Sequence, residues 1–205
     1  ISDLLNKQLP SHFDYTSWYD LLVFRRLAAG AGGEAPADGK GPDMAQSTRE
    51  ALASIDTSPV GFAVFDRVLL TVHPTDCVVR EYFAGRLAGM AAGTETRGLA
   101  RLPSGPADLM LRMVNHMVDS YLDLRRLLTR HLGTLQQELL DPKGRFRDWR
   151  VLMDARNTLH LLEDLCEEQN DALQEWVDAQ HEQPAPWMGQ AERDSLMARA
   201  RDVVE

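Results

Sequence analysis

Few side chains in this sequence combine the types and spacing that chemistry requires. His160 and Asp164 stand four residues apart, on one face of a helix, where they either share a metal ion or meet solvent as an ordinary exposed pair. His131 falls in a run of helical periodicity and reads as a packed or interface histidine, since a lone imidazole holds no metal. Cys166 falls in a similar run and reads as a small core residue. With Cys77 it makes two cysteines, too few for a disulfide framework, and a reducing cytosol is the default expectation. No serine lies in a Gly-x-Ser-x-Gly context, and no Gly-rich phosphate loop opens a helix. Neither a Cys-x-x-Cys pair nor a His-Glu-x-x-His helix occurs, so a tight zinc site is not expected. Nothing supplies a nucleophile, a base and an orienter together, and the chain reads as no enzyme.

Carboxylates are the remaining candidates. Residues 163–182 hold Glu163, Asp164, Glu167, Glu168, Asp171, Glu175, Asp178 and Glu182, with no Lys or Arg. Residues 143–156 hold Lys143, Arg145, Arg147, Arg150 and Arg156. Acid near a helix C-terminus opposes the macrodipole, at about 0.3–1 kcal/mol per charge. Asp108, Asp119 and Asp123, balanced only by Arg112, add to the acidic end if the two helical runs pair antiparallel. The expected hairpin has a basic tip and an acidic base. That base is either a solvated face or a surface whose field concentrates cations. The net charge of −9 argues against a nucleic-acid partner.

The elements that must position these groups follow from pattern. The composition, 44% hydrophobic and 26% charged over 205 residues, suits one soluble domain or one domain with a helical extension. No run of about 18 uncharged apolar residues spans a membrane. "ISDLLNKQLP" reads as a short helix closed by Pro10. "DYTSWYDLLVFRRL" suggests strands near residues 12–16 and 19–27. Residues 28–42, rich in Gly, Ala and Pro, read as a surface loop. "PVGFAVFDRVLLTVHP" reads as a hairpin turning at Asp66-Arg67, and Pro74 ends its second strand. A helix capped by Thr75 or Asp76 follows. Met110, Val114, Met117, Tyr121, Leu124, Leu128, His131 and Leu135 form a heptad seam on one unbroken helix over 106–140. "DPKGR" turns the chain. A second seam runs through Leu152, Ala155, Leu159, Leu162, Cys166, Gln169, Leu173 and Trp176. Two such helices pack antiparallel, each hiding its stripe on the other. The prolines of "HEQPAPWMG" interrupt, and a third helix begins near Met188.

The order of these elements resembles the cytoplasmic part of CorA-like divalent-cation transporters. "VGFAVFDRVLLTVHP" resembles the family's strand, tight turn and strand ending in Leu-x-Thr-Val-His. "PADLMLRMVNHMVDSYLDLRRLL" and "LEDLCEEQNDALQEWVD" are similar to its two outer helices, and "RARDVVE" to the start of its stalk helix. "ISDLLNKQLPSHFDYTSWYDLLVFRRL" resembles the segment that leads into a sheet strand there. The resemblance implies an α+β fold: a small mixed or antiparallel β-sheet with flanking helices, then a long antiparallel helical hairpin and the start of a stalk. It divides the chain at residues 1–104, 105–182 and 187–205. The first residue, Ile1, reads as the start of an excerpt that lacks upstream strands, and the last helix as one bound for the bilayer.

The resemblance further implies the cytoplasmic side of an inner-membrane homopentamer, with absent C-terminal helices forming the pore. The transported ion is Mg²⁺ or Co²⁺, with the zinc-transporting branch as an alternative. The family's regulatory magnesium site bridges subunits through an acid in an Arg-Asp-Val context, which Asp202 matches; Glu205 lies where a second acid often follows. The partner acid's nearest equivalent is Gly30, so the partner is missing or displaced to Glu34 or Asp38. Weak Mg²⁺ binding is expected in consequence, with Zn²⁺ or Co²⁺ as alternatives, and the fragment is expected to be a monomer or weak oligomer. The rival reading is a soluble helical scaffold or signalling module with no part in transport.

Overall fold

A computed structural model describes residues 4, 6, 8–30, 44–75, 77–91, 102–141, 148–183 and 188–204. Four strands and six helices occur among them: β1 (His12–Tyr15), β2 (Asp20–Arg25), α1 (Met44–Ala53), β3 (Pro59–Val64), β4 (Leu69–Val72), α2 (Val78–Ala91), α3 (Pro106–Asp119), α4 (Tyr121–Leu140), α5 (Trp149–Glu182) and α6 (Gln190–Val204). The α+β class expected from the sequence is what the molecule shows. The chain divides into two compact units, residues 1–26 with 58–118 and 167–205, and residues 27–57 with 119–166.

The first unit holds a four-stranded antiparallel sheet in the order β1-β2-β3-β4. Leu22 pairs with Phe62 and Asp20 with Val64. That register places Leu22, Phe24, Val60, Phe62 and Val64 on one face, as the period-2 alternation of a strand requires. Against this face lie Met110, Leu111, Val114 and Met117 of α3, Leu173, Trp176 and Val177 of α5, and Leu196, Met197 and Val203 of α6. The other face carries Leu21, Val23 and Ala63 under Leu4. Gly61 lies beneath Leu4, and a side chain there would run into it. The 65–68 turn closes on a Phe65 N–H to Val68 carbonyl bond of 2.9 Å, around the Asp66-Arg67 pair that the sequence marks.

The second unit is built on α1, α4 and the first half of α5. Ala28 and Asp56 exchange both backbone hydrogen bonds, at 3.1 and 2.9 Å, closing the excursion that carries α1. Leu124 clusters with Leu162 and Leu165, and Leu135 with Val151 and Ala155, so α4 and α5 run antiparallel.

Several expectations need correction. The sequence pattern suggests one helix over 106–140; the structure has two, parted at Ser120. Ser120 keeps helical angles (φ −66°, ψ −16°), and its hydroxyl donates to the Leu27 carbonyl at 3.2 Å. The apolar spacing continues through Ser120 in the sequence, which is why the break is invisible in the period. Helix α1 has no counterpart in the sequence reading, and it alters the hairpin. Leu52 of α1 shares the core of Leu135 and Val151, and Arg49 pairs with Asp148 and Asp154 of α5 at 3.2 and 2.9 Å. The stripes of α4 and α5 are therefore shared with a third helix. Cys166 and Leu159 are exposed; Leu165 takes the buried position, because α5 drifts against a strict heptad. His131 is buried, as expected, 3.3 Å from the Thr48 hydroxyl. Helix α2 starts at Val78, past Thr75. Leu4 lies in a helical turn, but residues 8–10 are not helical.

Candidate functional site

A cleft of about 1060 Å³ opens in the first unit. Five segments wall it: the β1–β2 turn, the β3–β4 turn, the start of α3, the end of α5, and Met188 with Leu196 of α6. Local sequence sets each wall. Thr16 folds the first turn, its hydroxyl accepting the Trp18 and Tyr19 N–H groups at 3.2 and 3.1 Å. Gly105 and Pro106 open α3 as N-cap and first helical residue, where a missing N–H costs nothing. Asp108, two residues further, reaches back to accept the Ser104 N–H at 3.0 Å.

The lining is acidic. Asp14, Asp20, Asp66, Asp108, Glu175, Asp178 and Glu182 face it, with Arg67 as the single basic residue among the lining. The end of α5 and the start of α3 carry acids here, as the charge pattern requires. Asp14 and Asp20 were not singled out from the sequence, and Asp66 only as a turn residue. They arrive from the sheet turns, and only the strand register brings them to the rim.

Two of these carboxylates are held in opposite senses. Burial pushes the Asp20 carboxyl above its usual range, against the hydrogen bond from Gln180, whose amide donates at 2.7 Å, and the nearby Trp176 indole, which is not aligned to donate. Burial would raise Asp108 as well. Hydrogen bonds from Arg112 and the Ser104 amide, with the charges of Arg112 and Arg199, outweigh it and hold that carboxyl below the usual range. Arg112 approaches at 2.8 Å and Arg199 at 2.7 Å, the latter as a close ion contact whose Nε–H is not aligned on the oxygen. Asp108, with a side chain only 7% exposed, thus ties α6 to α3 at the edge of the cleft.

Of the acids expected to hold metal, Asp202 alone lies among the described residues. Asp202 is exposed on α6. Glu205, Glu34 and Asp38 lie outside the described residues, as do Lys143, Arg145 and Arg147 of the expected basic tip. His160 contacts Glu163 at 3.5 Å, and not Asp164. Among the described residues no three His, Cys, Asp or Glu side chains come together as a metal would require. Gly30 shows why the expected partner acid is not at its nearest equivalent: a Cβ there would overlap the Ser54 carbonyl oxygen and lie 2.8 Å from its carbon. Gly30→Asp is expected to cost about 1–3 kcal/mol, since the obstacle is backbone and does not rotate away. Urea unfolding checks this, and an unchanged midpoint would show that position 30 tolerates an acid.

The profile of the family described as CorA-like Mg²⁺ transporter protein matches residues 42–205. Among solved structures, the soluble domain of CorA from Methanocaldococcus jannaschii is similar, with a TM-score of 0.59 at 17% identity, over 99% of this chain and 69% of that one. The full-length CmaX protein is similar as well, with a TM-score of 0.56 at 14% identity, over 98% of this chain and 53% of that one. A search among curated proteins finds no match. At these identities the structural likenesses speak for the fold alone.

Proposed function

The chain belongs to the CorA-like Mg²⁺ transporter family, and on that premise we propose that it is the cation-responsive cytoplasmic domain of a divalent metal-ion transporter of the inner membrane, working as a homopentamer. The family match over residues 42–205 carries this reading. Two features of the first unit support it. An acidic cleft attracts hydrated cations by its field. The helix leading away, α6, is held to that cleft by the Arg199–Asp108 contact. No described helix is long and apolar enough to cross a membrane; in this reading α6 begins the stalk that couples the domain to the pore.

The described residues do not fit an inner-sphere Mg²⁺ site within one chain, so no step of the mechanism runs through a tightly held ion. Mg²⁺ prefers oxygen ligands, sheds its waters reluctantly, and needs more than one carboxylate to hold it. Field attraction to exposed acids is screened beyond about 8 Å at physiological salt. Occupancy of this kind shifts the population of closed and open states only by the difference in affinity between them. Mg²⁺ is the favoured ion, Co²⁺ the second, and Zn²⁺ the alternative if an imidazole joins the acids.

Calorimetry on the 205-residue chain is expected to show Mg²⁺ binding on the order of millimolar, weakened by added salt and little changed by Asp202→Ala. Sub-micromolar affinity that disappears in that variant would mean that a complete site exists. Uptake of Mg²⁺, Co²⁺ and Zn²⁺ by cells expressing the full-length protein decides the larger question. If none of the three enters above background, the transporter reading fails and the soluble scaffold replaces it.

A further inference from the structure

A second concavity, about 350 Å³, lies between the end of α5 and α6 and differs in sign from the first. Gln180, His181, Gln190, Arg193, Asp194, Met197, Ala198 and Arg201 line it, the two guanidinium groups being the feature that matters. In a chain of net charge −9 their company is unexpected. Neither arginine has an ion-pair partner within 4.0 Å among the described residues. Arg193 Nε is buried and meets no acceptor, and its Nη2 reaches the Met188 carbonyl only at 3.5 Å. The lone carboxylate of the groove, Asp194, accepts from Gln190 Nε2 of the same lining at 2.8 Å and pairs with neither arginine. Gln180 likewise turns its amide N–H away, to Asp20.

We propose that this groove binds an oxyanion of the phosphate class. Two guanidinium groups that no described carboxylate neutralises favour an anion placed beside them, half-buried Arg193 and exposed Arg201 offering the donors. Guanidinium forks match phosphoryl geometry bidentately and keep their charge at any physiological pH. His181 contributes an imidazole from α5, and the first turn of α6 adds the positive end of its dipole. Arg193 and Arg201 are separated by about 12 Å of rise along α6. Two linked phosphoryl groups fill that span better than one. At about 350 Å³ the groove is at the low end for small-ligand pockets, with room for a diphosphate-sized anion and little more.

The probes are inorganic phosphate, pyrophosphate and phosphatidylglycerol vesicles, each against chloride at matched ionic strength, with the 205-residue chain. Saturable binding of pyrophosphate is expected, tighter than that of phosphate and weakened about tenfold or more by Arg193→Gln with Arg201→Gln. Arg193→Lys with Arg201→Lys is expected to retain part of it, which separates charge from folding; circular dichroism confirms that each variant folds. Binding to vesicles without binding to pyrophosphate would assign the groove to a lipid headgroup and still support the site. The proposal is overturned if none of the three probes binds saturably, or if binding is the same in the Gln variants. It is also overturned if the Gln variants change only the oligomeric state, which would assign the arginines to another copy's carboxylates.

Discussion

Trp176→Ala is expected to lower the stability of the chain by about 3–5 kcal/mol, the range for truncating a large buried aromatic. Trp176 is fully buried, in the cluster where α3, α5, α6 and one sheet face meet. Its ring lies beside Asp20, so truncation also strips an interaction from a carboxyl that burial already disfavours. The cavity left has sheet and helix walls, which collapse poorly. Trp176→Phe keeps most of the volume and should lose markedly less. Urea unfolding followed by far-ultraviolet circular dichroism measures both. A loss under about 1 kcal/mol for the alanine variant would contradict the packing assigned to this residue.

Asp108→Asn is expected to show the second large effect, about 1–3 kcal/mol at neutral pH, from the lost charge between Arg112 and Arg199. The two arginine side chains are 21% and 38% exposed, so water compensates part of the loss, and the figure stays below that of a fully buried pair. The pH dependence follows from sign. The folded Asp108 carboxyl lies below its ordinary value of 3.8, so its contribution is present above that pH and is lost as pH falls through the lower folded value. Asp20 is raised, so its contribution is present below 3.8 and lost as pH rises through the higher folded value. Asp108→Asn should therefore flatten the acid limb of the stability profile. Asp20→Asn should leave that limb and relieve a penalty at neutral pH, provided that its carbonyl oxygen still accepts from Gln180. Identical profiles for the two variants would refute the opposite environments assigned to them.

Much of the architecture was legible because it rests on periodicity. Leu22, Phe24, Phe62 and Val64 alternate as a one-sided strand face must, and Met110, Val114, Met117, Leu124 and Leu135 recur as a helical stripe must. Tight turns announce themselves by local chemistry, as at Asp66-Arg67. The acidic end of α5 was readable as charge, since nothing basic interrupts residues 163–182. Helix α1 was not readable in this way: its ten residues, Met44–Ala53, follow a Gly- and Pro-rich stretch and span under three turns, too few for a stripe to repeat. The break at Ser120 was hidden because a helix may stop and restart without disturbing the phase of its apolar face.

The sequence by itself determined the α+β class, the apolar faces of β2, β3 and α3, the acidic end of α5 and the family resemblance, because these depend on residues near one another in the chain. Tertiary structure alone decided which charges meet. Asp14, Asp20 and Asp66 join the acids of α3 and α5 only through strand register and helix packing. Asp108 finds Arg199 across 91 positions of chain. Arg193 and Arg201 acquire a groove only because the end of α5 lies beside them. Local pattern carries no information on such pairs. Their energies are Coulombic and desolvation terms, set by separation in space and by burial, and both are properties of the folded chain.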